Sequence, residues 1–220
     1  MYVAVSGNIG SGKTTLTTKL AKHYGWKAEF EAVDNNPYLE DFYADMKRWA
    51  FHLQIYFLNS RFKQLTDIAS RDFTTIQDRT IYEDAYIFAA NLYKSQLLND
   101  RDYHNYLNLF HSMMEYAKAP DLLIYLRADI PKLVSQIQKR GRSYEDAIRL
   151  DYLKNLNKHY EEWIANYSLG RLLVIDVNNL DFVNNVEDFA GIVEKIELEL
   201  NGLFSPDTLT LPPQLFPYKK

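Results

Sequence analysis

The chain has 220 residues, of which 47% are apolar and 25% charged, a composition that suits a globular protein of one domain and excludes overall disorder. The net charge of −4 predicts no general attraction to nucleic acid or to an anionic membrane surface, so any anion site must be local. The absence of cysteine excludes thiol catalysis and fits a cytoplasmic location, and no apolar run approaches the ~18 residues that span a bilayer.

The predicted elements alternate between short apolar runs and longer helical patterns, which is typical of a parallel β-sheet covered by helices. We predict strands over residues 2–6, 28–33, 74–78, 122–126 and 172–177. We predict helices over residues 13–24, 38–70, 82–98, 103–118, 130–140, 144–167 and 186–200. The fold class is therefore α/β, with a five-stranded parallel sheet flanked by helices.

The C-terminal residues differ in composition from the rest of the chain. Four of the seven prolines fall after residue 205, where regular helix and central strand are excluded. We therefore divide the chain into a domain over residues 1–200 and a Pro-rich tail over residues 201–220.

A phosphate-binding motif joins the first predicted strand to the first predicted helix. It reads Gly-Asn-Ile-Gly-Ser-Gly-Lys-Thr and fits the pattern G-x-x-x-x-G-K-[ST]. Its glycines let backbone N–H groups converge on phosphate oxygens, helped by the positive end of the helix dipole. Lys13 is predicted to reach the β- and γ-phosphates of ATP, and Thr14 to ligate Mg²⁺. The predicted ATP-binding residues are Gly7, Asn8, Ile9, Gly10, Ser11, Gly12, Lys13, Thr14 and Thr15.

Three acidic residues at predicted strand ends are candidates for the chemistry. Asp176 closes an apolar strand like a Walker B acid, whereas Asp78 closes a less apolar one and is followed by Arg79. We favour Asp78, because an Asp-Arg pair at a strand end supplies a Mg²⁺ ligand and a charge that offsets the phosphoryl group. Glu31 lies near the end of the second strand, where a carboxylate facing the ligand crevice can accept the proton of an attacking hydroxyl. The alternative for Glu31 is a solvated strand end.

Polar residues on two helices suit the binding of a flat, hydrogen-bonding ring. Tyr43, Gln54 and Arg61 are spaced by 11 and 7 residues, which brings them within about 20° of one stripe of a helix. An amide and a guanidinium on one inward face can recognise a nucleobase, although a solvated face has the same periodicity. Asp84 and Phe88 lie one turn apart on the next helix, where Asp84 can pair with Arg61 and Phe88 can stack on the base.

A cationic segment follows the predicted helix 130–140. Lys139, Arg140 and Arg142 flank Gly141. A mobile loop of this kind can close over phosphates and exclude water, while basic residues at a helix C-terminus also offset its dipole. We predict a short lid near residues 139–144.

Together these motifs resemble the deoxynucleoside kinase family, which includes deoxycytidine, deoxyguanosine and bacterial deoxyadenosine kinases. The likeness extends from the phosphate loop to about Phe182 and rests on the order and spacing of its motifs. These motifs are the loop 7–14, the segment Glu31-x-Val33, the stripe 43–61, Asp78-Arg79-Thr80-x-Tyr82-x-Asp84, Phe88–Tyr93, Ile124–Leu126, Arg140–Arg142 and Asp176–Asn178. The resemblance implies a P-loop kinase fold with a lid, and transfer of a phosphoryl group from ATP, with Mg²⁺, to the 5′-hydroxyl of a deoxynucleoside.

The resemblance also implies a role for each candidate residue. At the reaction centre, Lys13 contacts the phosphates, Glu31 is the general base, Arg79 lies beside the 5′-hydroxyl, and Thr14 and Asp78 hold Mg²⁺. The substrate residues are Gln54, Arg61 and Asp84 at the base, Phe88 stacked on it, Tyr43 and Glu145 at the sugar 3′-hydroxyl, and Arg140 and Arg142 in the lid.

The sequence also indicates the preferred base and the assembly. Asp84 can accept a hydrogen bond from an exocyclic amino group, which adenine and cytosine have and thymine lacks. The segment 35–39 is similar to the bacterial branch, so deoxyadenosine is favoured, with deoxycytidine or deoxyguanosine as secondary substrates. Family members are commonly homodimers, and the helices 82–98 and 103–118 are apolar enough for an isologous interface. No nucleic-acid or membrane partner is expected.

Two other functions remain as alternatives. A nucleoside monophosphate kinase would need more cationic groups around its acceptor than the acidic segment 31–43 offers. An ATP-binding regulatory protein without transfer chemistry would have no need of Glu31 opposite Lys13.

Overall fold

The computed structural model describes residues 1–30, 36–142, 145 and 148–201. The chain divides into two compact units, residues 1–180 and residues 181–220. The predicted boundary at residue 200 stays a prediction, and the tail 202–220 lies outside the described residues.

The first unit is built on a parallel sheet of five strands, as predicted. The strands are β1 (Tyr2–Gly7), β2 (Lys27–Glu29), β3 (Thr75–Asp78), β4 (Leu122–Arg127) and β5 (Arg171–Asp176). Their order is β2-β3-β1-β4-β5, and every neighbouring pair is parallel. β1 is buried along its whole length because β3 and β4 flank it and both faces of a parallel sheet are covered.

Helices connect the strands of this unit. They are α1 (Lys13–Tyr24), α2 (Leu39–Ala44), α3 (Met46–Ala69), α4 (Ile81–Glu83), a π-helix (Asp84–Ala89), α5 (Ala90–Lys94), α6 (Asp100–Met114), α7 (Ile130–Arg140) and α8 (Leu150–Ala165). The bounds of α1 and α7 are those predicted. The apolar core joins side chains of the sheet to side chains of α2, α3, α6 and α8.

The helix predicted over residues 38–70 is two helices. Asp45 has an extended backbone, with φ −144° and ψ 83°, and its side chain accepts a hydrogen bond from the Arg48 backbone N–H. This is an N-cap, which begins a new helix and satisfies one of its free donors. The single-helix prediction is therefore wrong at Asp45, where α2 ends and α3 begins.

The helix predicted over residues 82–98 is also interrupted. It begins at Ile81 after a capping box in which Thr80 and Glu83 bond each other's backbone. It then widens into the π-helix and ends at Lys94, before Gln96 adopts a positive φ of 59°. The continuous α-helix predicted here is wrong, and widened turns of this kind are frequent at functional sites.

Three other boundaries differ from the prediction. The helix predicted over 103–118 begins at Asp100, because Asn99 caps it through the Asp102 backbone N–H, and it ends at Met114. The helix predicted over 144–167 begins at Leu150, because Arg149 has extended backbone. The strand predicted over 28–33 begins one residue earlier, at Lys27, and ends at Glu29; the predicted residues 31–33 lie outside the described part of the chain.

The second unit contains α9 (Val186–Asn201). A turn stabilised by Asp181 precedes it: the Asp181 carboxylate accepts from Asn184, and the Asp181 backbone N–H donates to Asp188. Across the residues described in either unit, no helix is both long and apolar enough to cross a membrane.

Candidate active site

The phosphate loop connects the buried end of β1 to α1. Gly10 and Gly12 have φ of 85° and 95°, in the left-handed region that favours glycine. A Cβ at Gly10 would come within 2.7 Å of the Leu133 carbonyl oxygen, so α7 packs directly against the loop. The predicted motif 7–14 therefore has the backbone that a phosphate cradle requires, and Thr15 follows in the first turn of α1.

Lys13 and Asn8 hold this loop from inside. Lys13 is 7% exposed, and its Nζ donates a hydrogen bond to the Asn8 carbonyl at 3.0 Å. The Asn8 side chain donates to the Leu153 carbonyl at 3.2 Å and to Asn157 Oδ1 at 3.0 Å. These bonds fix the loop to α8, and Lys13 is held against the loop.

The predicted Mg²⁺ ligands meet at the end of β3. Thr14 Oγ1 donates to Asp78 Oδ2 at 2.5 Å, so the hydroxyl and the carboxylate lie within reach of one ion. Both are hard oxygen donors, which fit Mg²⁺, and Mg²⁺ commonly takes only one or two protein ligands beside phosphate and water. The residues that the structure describes contain no cluster of three or more His, Asp or Glu. Asp176, the alternative candidate for this role, accepts a hydrogen bond from the Asn178 backbone N–H at the end of β5. It is not among the described residues that line the cavity beside Lys13 and Arg79.

Arg79 occupies the turn directly after β3. It has a left-handed backbone with φ 69°, a rare conformation for a residue with a side chain, and its N–H donates to the Val5 carbonyl at 2.9 Å. Its guanidinium is buried, donates to the Tyr160 hydroxyl at 2.6 Å and lies 3.5 Å from Glu83 Oε1. The Phe88 ring packs against the guanidinium, with the ring centroid 4.5 Å from the guanidinium carbon. Arg79 is therefore a fixed positive charge next to the phosphate loop.

A cavity of about 330 Å³ lies beside Lys13 and Arg79. Its volume is in the range of small-molecule sites. Its lining includes most of the predicted substrate residues. The lining residues are Ile9, Lys13, Thr14, Thr18, Phe30, Leu39, Phe42, Tyr43, Leu53, Gln54, Phe57, Asp78, Arg79, Asp84, Phe88, Arg140, Arg142, Glu145 and Tyr152.

Of the predicted base-binding residues, Gln54 and Asp84 line the cavity, whereas Arg61 contacts lining residues such as Asp84. Gln54 is 3% exposed, and its Oε1 has no hydrogen-bond partner among the described residues, so a ligand that donates a hydrogen bond would satisfy it. Asp84 also lines the cavity and binds Arg61 Nε at 3.1 Å. Arg61 is absent from the described lining. Its Nη1 donates to the carbonyls of Asp78 and Arg79, both at 2.9 Å.

The predicted sugar and lid residues come together at another wall of the cavity. Glu145 is buried and accepts from Arg140 Nε at 3.0 Å, with a second bond from Arg140 Nη2. Arg142 Nη1 lies 3.8 Å from the same carboxylate. Tyr43 and these three residues all line the cavity. The predicted lid segment 139–144 is described only to Arg142.

Glu31 lies outside the described residues, but the chain that leads to it is anchored. The Phe30 carbonyl accepts from Gln64 Nε2 at 2.7 Å, and Gln64 Oε1 accepts from Gln77 Nε2 at 3.0 Å. Tyr2, in the centre of the sheet, donates its hydroxyl to Gln77. Phe30, the last described residue before Glu31, lines the cavity.

Sequence reasoning missed several residues of this site, among them three polar ones that contact Arg79 or line the cavity. Glu83 and Tyr160 surround the Arg79 guanidinium, and Tyr152 lines the cavity. Burial raises the pKa of the Tyr160 hydroxyl well above its ordinary value, so this group is a neutral hydrogen-bonding hydroxyl. The spacing Thr80-x-x-Glu83 is a capping-box signal that could have identified Glu83, whereas the pattern of α8 marks Tyr160 only as core.

A phosphate loop, a hydroxyl–carboxylate pair and a buried arginine thus converge beside a small-molecule cavity. This fold and this site define a P-loop phosphotransferase. Residues 3–200 match the family model described as Deoxynucleoside kinase. The chain belongs to the deoxynucleoside kinase family, and it is an enzyme that transfers a phosphoryl group from ATP to a deoxynucleoside. The predicted resemblance and fold class are confirmed.

Curated relatives support this assignment over most of their length. The chain is 40% identical to the deoxyadenosine/deoxycytidine kinase of Bacillus subtilis over 196 residues, which cover 88% of this chain and 90% of that protein. It is 43% identical to the deoxyadenosine kinase of Dictyostelium discoideum over 183 residues, covering 83% and 74%. It is 37% identical to the deoxyguanosine kinase of Lactobacillus acidophilus over 203 residues, covering 88% of each.

Solved structures agree in fold. The deoxyadenosine kinase of M. mycoides with bound dATP has a TM-score of 0.80 and 34% identity, covering 90% of this chain and all of that one. The same kinase with dCMP and dCDP bound has a TM-score of 0.81 at 34% identity.

Proposed function

We propose that this kinase phosphorylates the 5′-hydroxyl of deoxyadenosine in preference to other deoxynucleosides, in the cavity beside the phosphate loop. The observation that carries the preference against thymidine is the pair of acceptors in the cavity wall, the Asp84 carboxylate and Gln54 Oε1, which has no hydrogen-bond partner among the described residues. Both accept hydrogen bonds from an exocyclic amino group, which thymine lacks. A buried polar site that loses its partner rejects the wrong ligand strongly. Relatives named deoxyadenosine kinase add support for the purine.

The donor side of the site neutralises the phosphates of ATP. The loop N–H groups and Lys13 offset the charge of the β- and γ-phosphates. Thr14 and Asp78 would hold Mg²⁺, which when bound supplies further positive charge at these phosphates. Arg140 and Arg142, at the cavity wall, would add charge at the donor when the lid residues move over it. Positioning and charge neutralisation are the main contributions that phosphoryl transfer requires of a protein.

The acceptor side orients the nucleoside. Phe88 would stack on the base, while Tyr43 and Glu145 would bind the 3′-hydroxyl. Arg79, fixed next to the phosphate loop, would contact the 5′-hydroxyl and the transferred group. Glu31 would accept the proton of the 5′-hydroxyl; the support is that Phe30, the residue before it, lines the cavity and is held by Gln64.

We further propose that the enzyme is a homodimer and that it is located in the cytoplasm. The predicted interface helices expose apolar side chains: Tyr86 is 38% and Leu109 is 40% exposed. An isologous contact between two copies would cover them.

The experiment is a comparison of substrates. The protein is incubated with ATP, Mg²⁺ and each of the four deoxynucleosides, and the monophosphate formed is measured. We expect deoxyadenosine to have the highest kcat/KM, deoxycytidine or deoxyguanosine to follow, and thymidine to be poor. Deoxyadenosine monophosphate in place of the nucleoside serves as the control for a nucleoside monophosphate kinase. Thymidine as best substrate would contradict the role of Asp84 and Gln54.

A further inference from the structure

We propose that Tyr160 and Glu83 are positioning residues for the reaction: they hold the Arg79 guanidinium at the cavity and couple it to the phosphate loop. The inference rests on the proposed role of Arg79 at the transferred phosphoryl group. Neither Tyr160 nor Glu83 belongs to the cavity lining of the described residues, so they would act through Arg79.

The three side chains form one buried chain of hydrogen bonds. Tyr160 and Glu83 have no exposed surface, and Arg79 is 3% exposed. Arg79 Nη1 donates to the Tyr160 hydroxyl at 2.6 Å, and this hydroxyl donates to Glu83 Oε1 at 2.8 Å. A guanidinium has no acceptor, so the hydroxyl proton must point to the carboxylate. The order of donors is therefore fixed: Arg79, then Tyr160, then Glu83.

The charge of Glu83 makes the burial of Arg79 possible. Glu83 Oε1 lies 3.5 Å from Arg79 Nη1, and an isolated buried charge is strongly unfavourable unless it is paired and hydrogen-bonded. Phe88 covers the guanidinium on another side, at 4.5 Å. With a carboxylate, a hydroxyl and a ring around it, the guanidinium has one orientation before substrate binds. Charges fixed in this way need no reorganisation during the reaction.

The same carboxylate contacts the phosphate loop. Glu83 Oε1 accepts from the Gly7 backbone N–H at 3.4 Å, and Oε2 accepts from the Thr80 backbone N–H at 2.7 Å. Gly7 is the first residue of the loop motif, and Thr80 follows Arg79 directly. Glu83 thus joins the loop that binds the donor to the turn that carries Arg79, and it sets the distance between the two.

The test uses Tyr160→Phe, with Tyr125→Phe as the matched control. Tyr125 is also buried, stacks on Tyr160 with ring centroids 5.8 Å apart, and donates its hydroxyl to a carboxylate, Glu161, at 3.0 Å. Both variants lose one hydroxyl and keep the ring, but only Tyr160 contacts Arg79. We expect Tyr160→Phe to lower kcat about tenfold or more, with KM for ATP and deoxynucleoside within about threefold, because a hydrogen bond to a charged group is lost. Tyr125→Phe should keep the parent kcat.

A double-substitution cycle separates positioning from general packing. Tyr160→Phe is also made in an Arg79→Lys background, where the bond from the guanidinium is already absent. We expect the effect of Tyr160→Phe on kcat to fall to about twofold or less in that background. Glu83→Gln, which keeps the shape and removes the charge, should lower kcat at least as much as Tyr160→Phe.

Three results would overturn the inference. They are an unchanged kcat in Tyr160→Phe, an equal loss in Tyr125→Phe, and an equal loss from Tyr160→Phe in both backgrounds. These results are independent of the base preference. A parent enzyme that phosphorylates thymidine best would overturn the proposed preference and leave this test intact, because Arg79 is assigned to the phosphoryl group whatever the base.

Discussion

At the scale of single residues, some residues of the site belong to a short sequence motif, whereas the role of others depends on contacts with residues far away in the sequence. Lys13 and Thr14 belong to a motif whose chemistry lies within eight consecutive residues. Arg61 is different. Its position on a helix predicted a base contact, whereas its Nη1 bonds the carbonyls of Asp78 and Arg79. A buried guanidinium with several donors can stabilise a strained turn in this way, and Arg79 has a positive φ there.

Glu31→Gln tests the general base. We expect kcat to fall by ~10²–10⁴ while nucleoside binding stays within a few-fold, because glutamine keeps the size of the side chain and loses the proton acceptor. The measurement is steady-state turnover together with the Kd of the deoxynucleoside. Glu40→Gln, a neighbouring exposed carboxylate in α2, is the control and should behave as the parent. Turnover of Glu31→Gln within a few-fold of the parent would transfer the base role to Asp78.

At the scale of elements, two local features adapt helices to the site. The N-cap at Asp45 separates α2 from α3, which places Tyr43 and Gln54 on different helices that both reach the cavity. The π-helix after α4 carries Asp84 and Phe88, which are four residues apart and both line the cavity. Their spacing of four residues predicted a shared face, and both side chains line the cavity.

The two ends of α1 allow a comparison of two glycines. Gly10 and Gly25 both have positive φ, but a Cβ at Gly25 meets nothing within 4 Å, whereas at Gly10 it lies 2.7 Å from a backbone oxygen. We expect Gly25→Ala to lower the free energy of unfolding by about 1 kcal/mol and to bind ATP as the parent does. Gly10→Ala should weaken ATP binding about tenfold or more, because the loop must shift. Urea unfolding and ATP titration measure the two effects. Equal ATP affinity in both variants would contradict this interpretation of the loop.

At the scale of the whole molecule, the strand order assembles the site. β1 lies between β3 and β4, so the phosphate loop at the end of β1 is adjacent to Asp78 and Arg79 at the end of β3. α8 then passes behind both and supplies Tyr160 and the bonds to Asn8. In open parallel sheets, ligands bind at the carboxyl ends of the strands, at the point where the strand order reverses.

The Arg61 cluster tests how much this assembly contributes to stability. Arg61 joins α3, the turn after β3 and the π-helix through Asp84, and both side chains of the pair are about 2–3% exposed. We expect Arg61→Met to lower the free energy of unfolding by about 3–5 kcal/mol, because Asp84 and two carbonyls lose a buried partner. Arg71→Met is the control: the Arg71–Glu29 pair is partly exposed, and its loss should cost about 1 kcal/mol or less. Denaturant unfolding measures both. Equal losses would show that the buried cluster adds no more stability than the partly exposed pair.

The sequence alone determined the fold class, the phosphate loop, the Asp78-Arg79 dipeptide at a strand end and the family. Each of these is encoded in short segments: apolar runs of strand length, a glycine-rich motif, and motifs in a set order. The bounds of α1 and α7 followed from local signals, Gly12 before α1 and Pro131 with Gly141 at the ends of α7. Tyr43 and Gln54, which the sequence assigned to one site, both line the cavity, although they lie on two helices and not on the single helix that the periodicity assumed.

Only the tertiary structure decided the strand order, the break at Asp45, the π-helix and the position of Arg61 behind Asp84. It also revealed the contacts of Arg79 with Tyr160 and of Tyr160 with Glu83, which join residues 81 and 77 positions apart. The physical reason is the range of the interactions. Helical and strand periodicity report which face of one element is apolar, whereas a buried hydrogen bond between two elements depends on how they pack, and that packing is a property of the whole sheet and its helices.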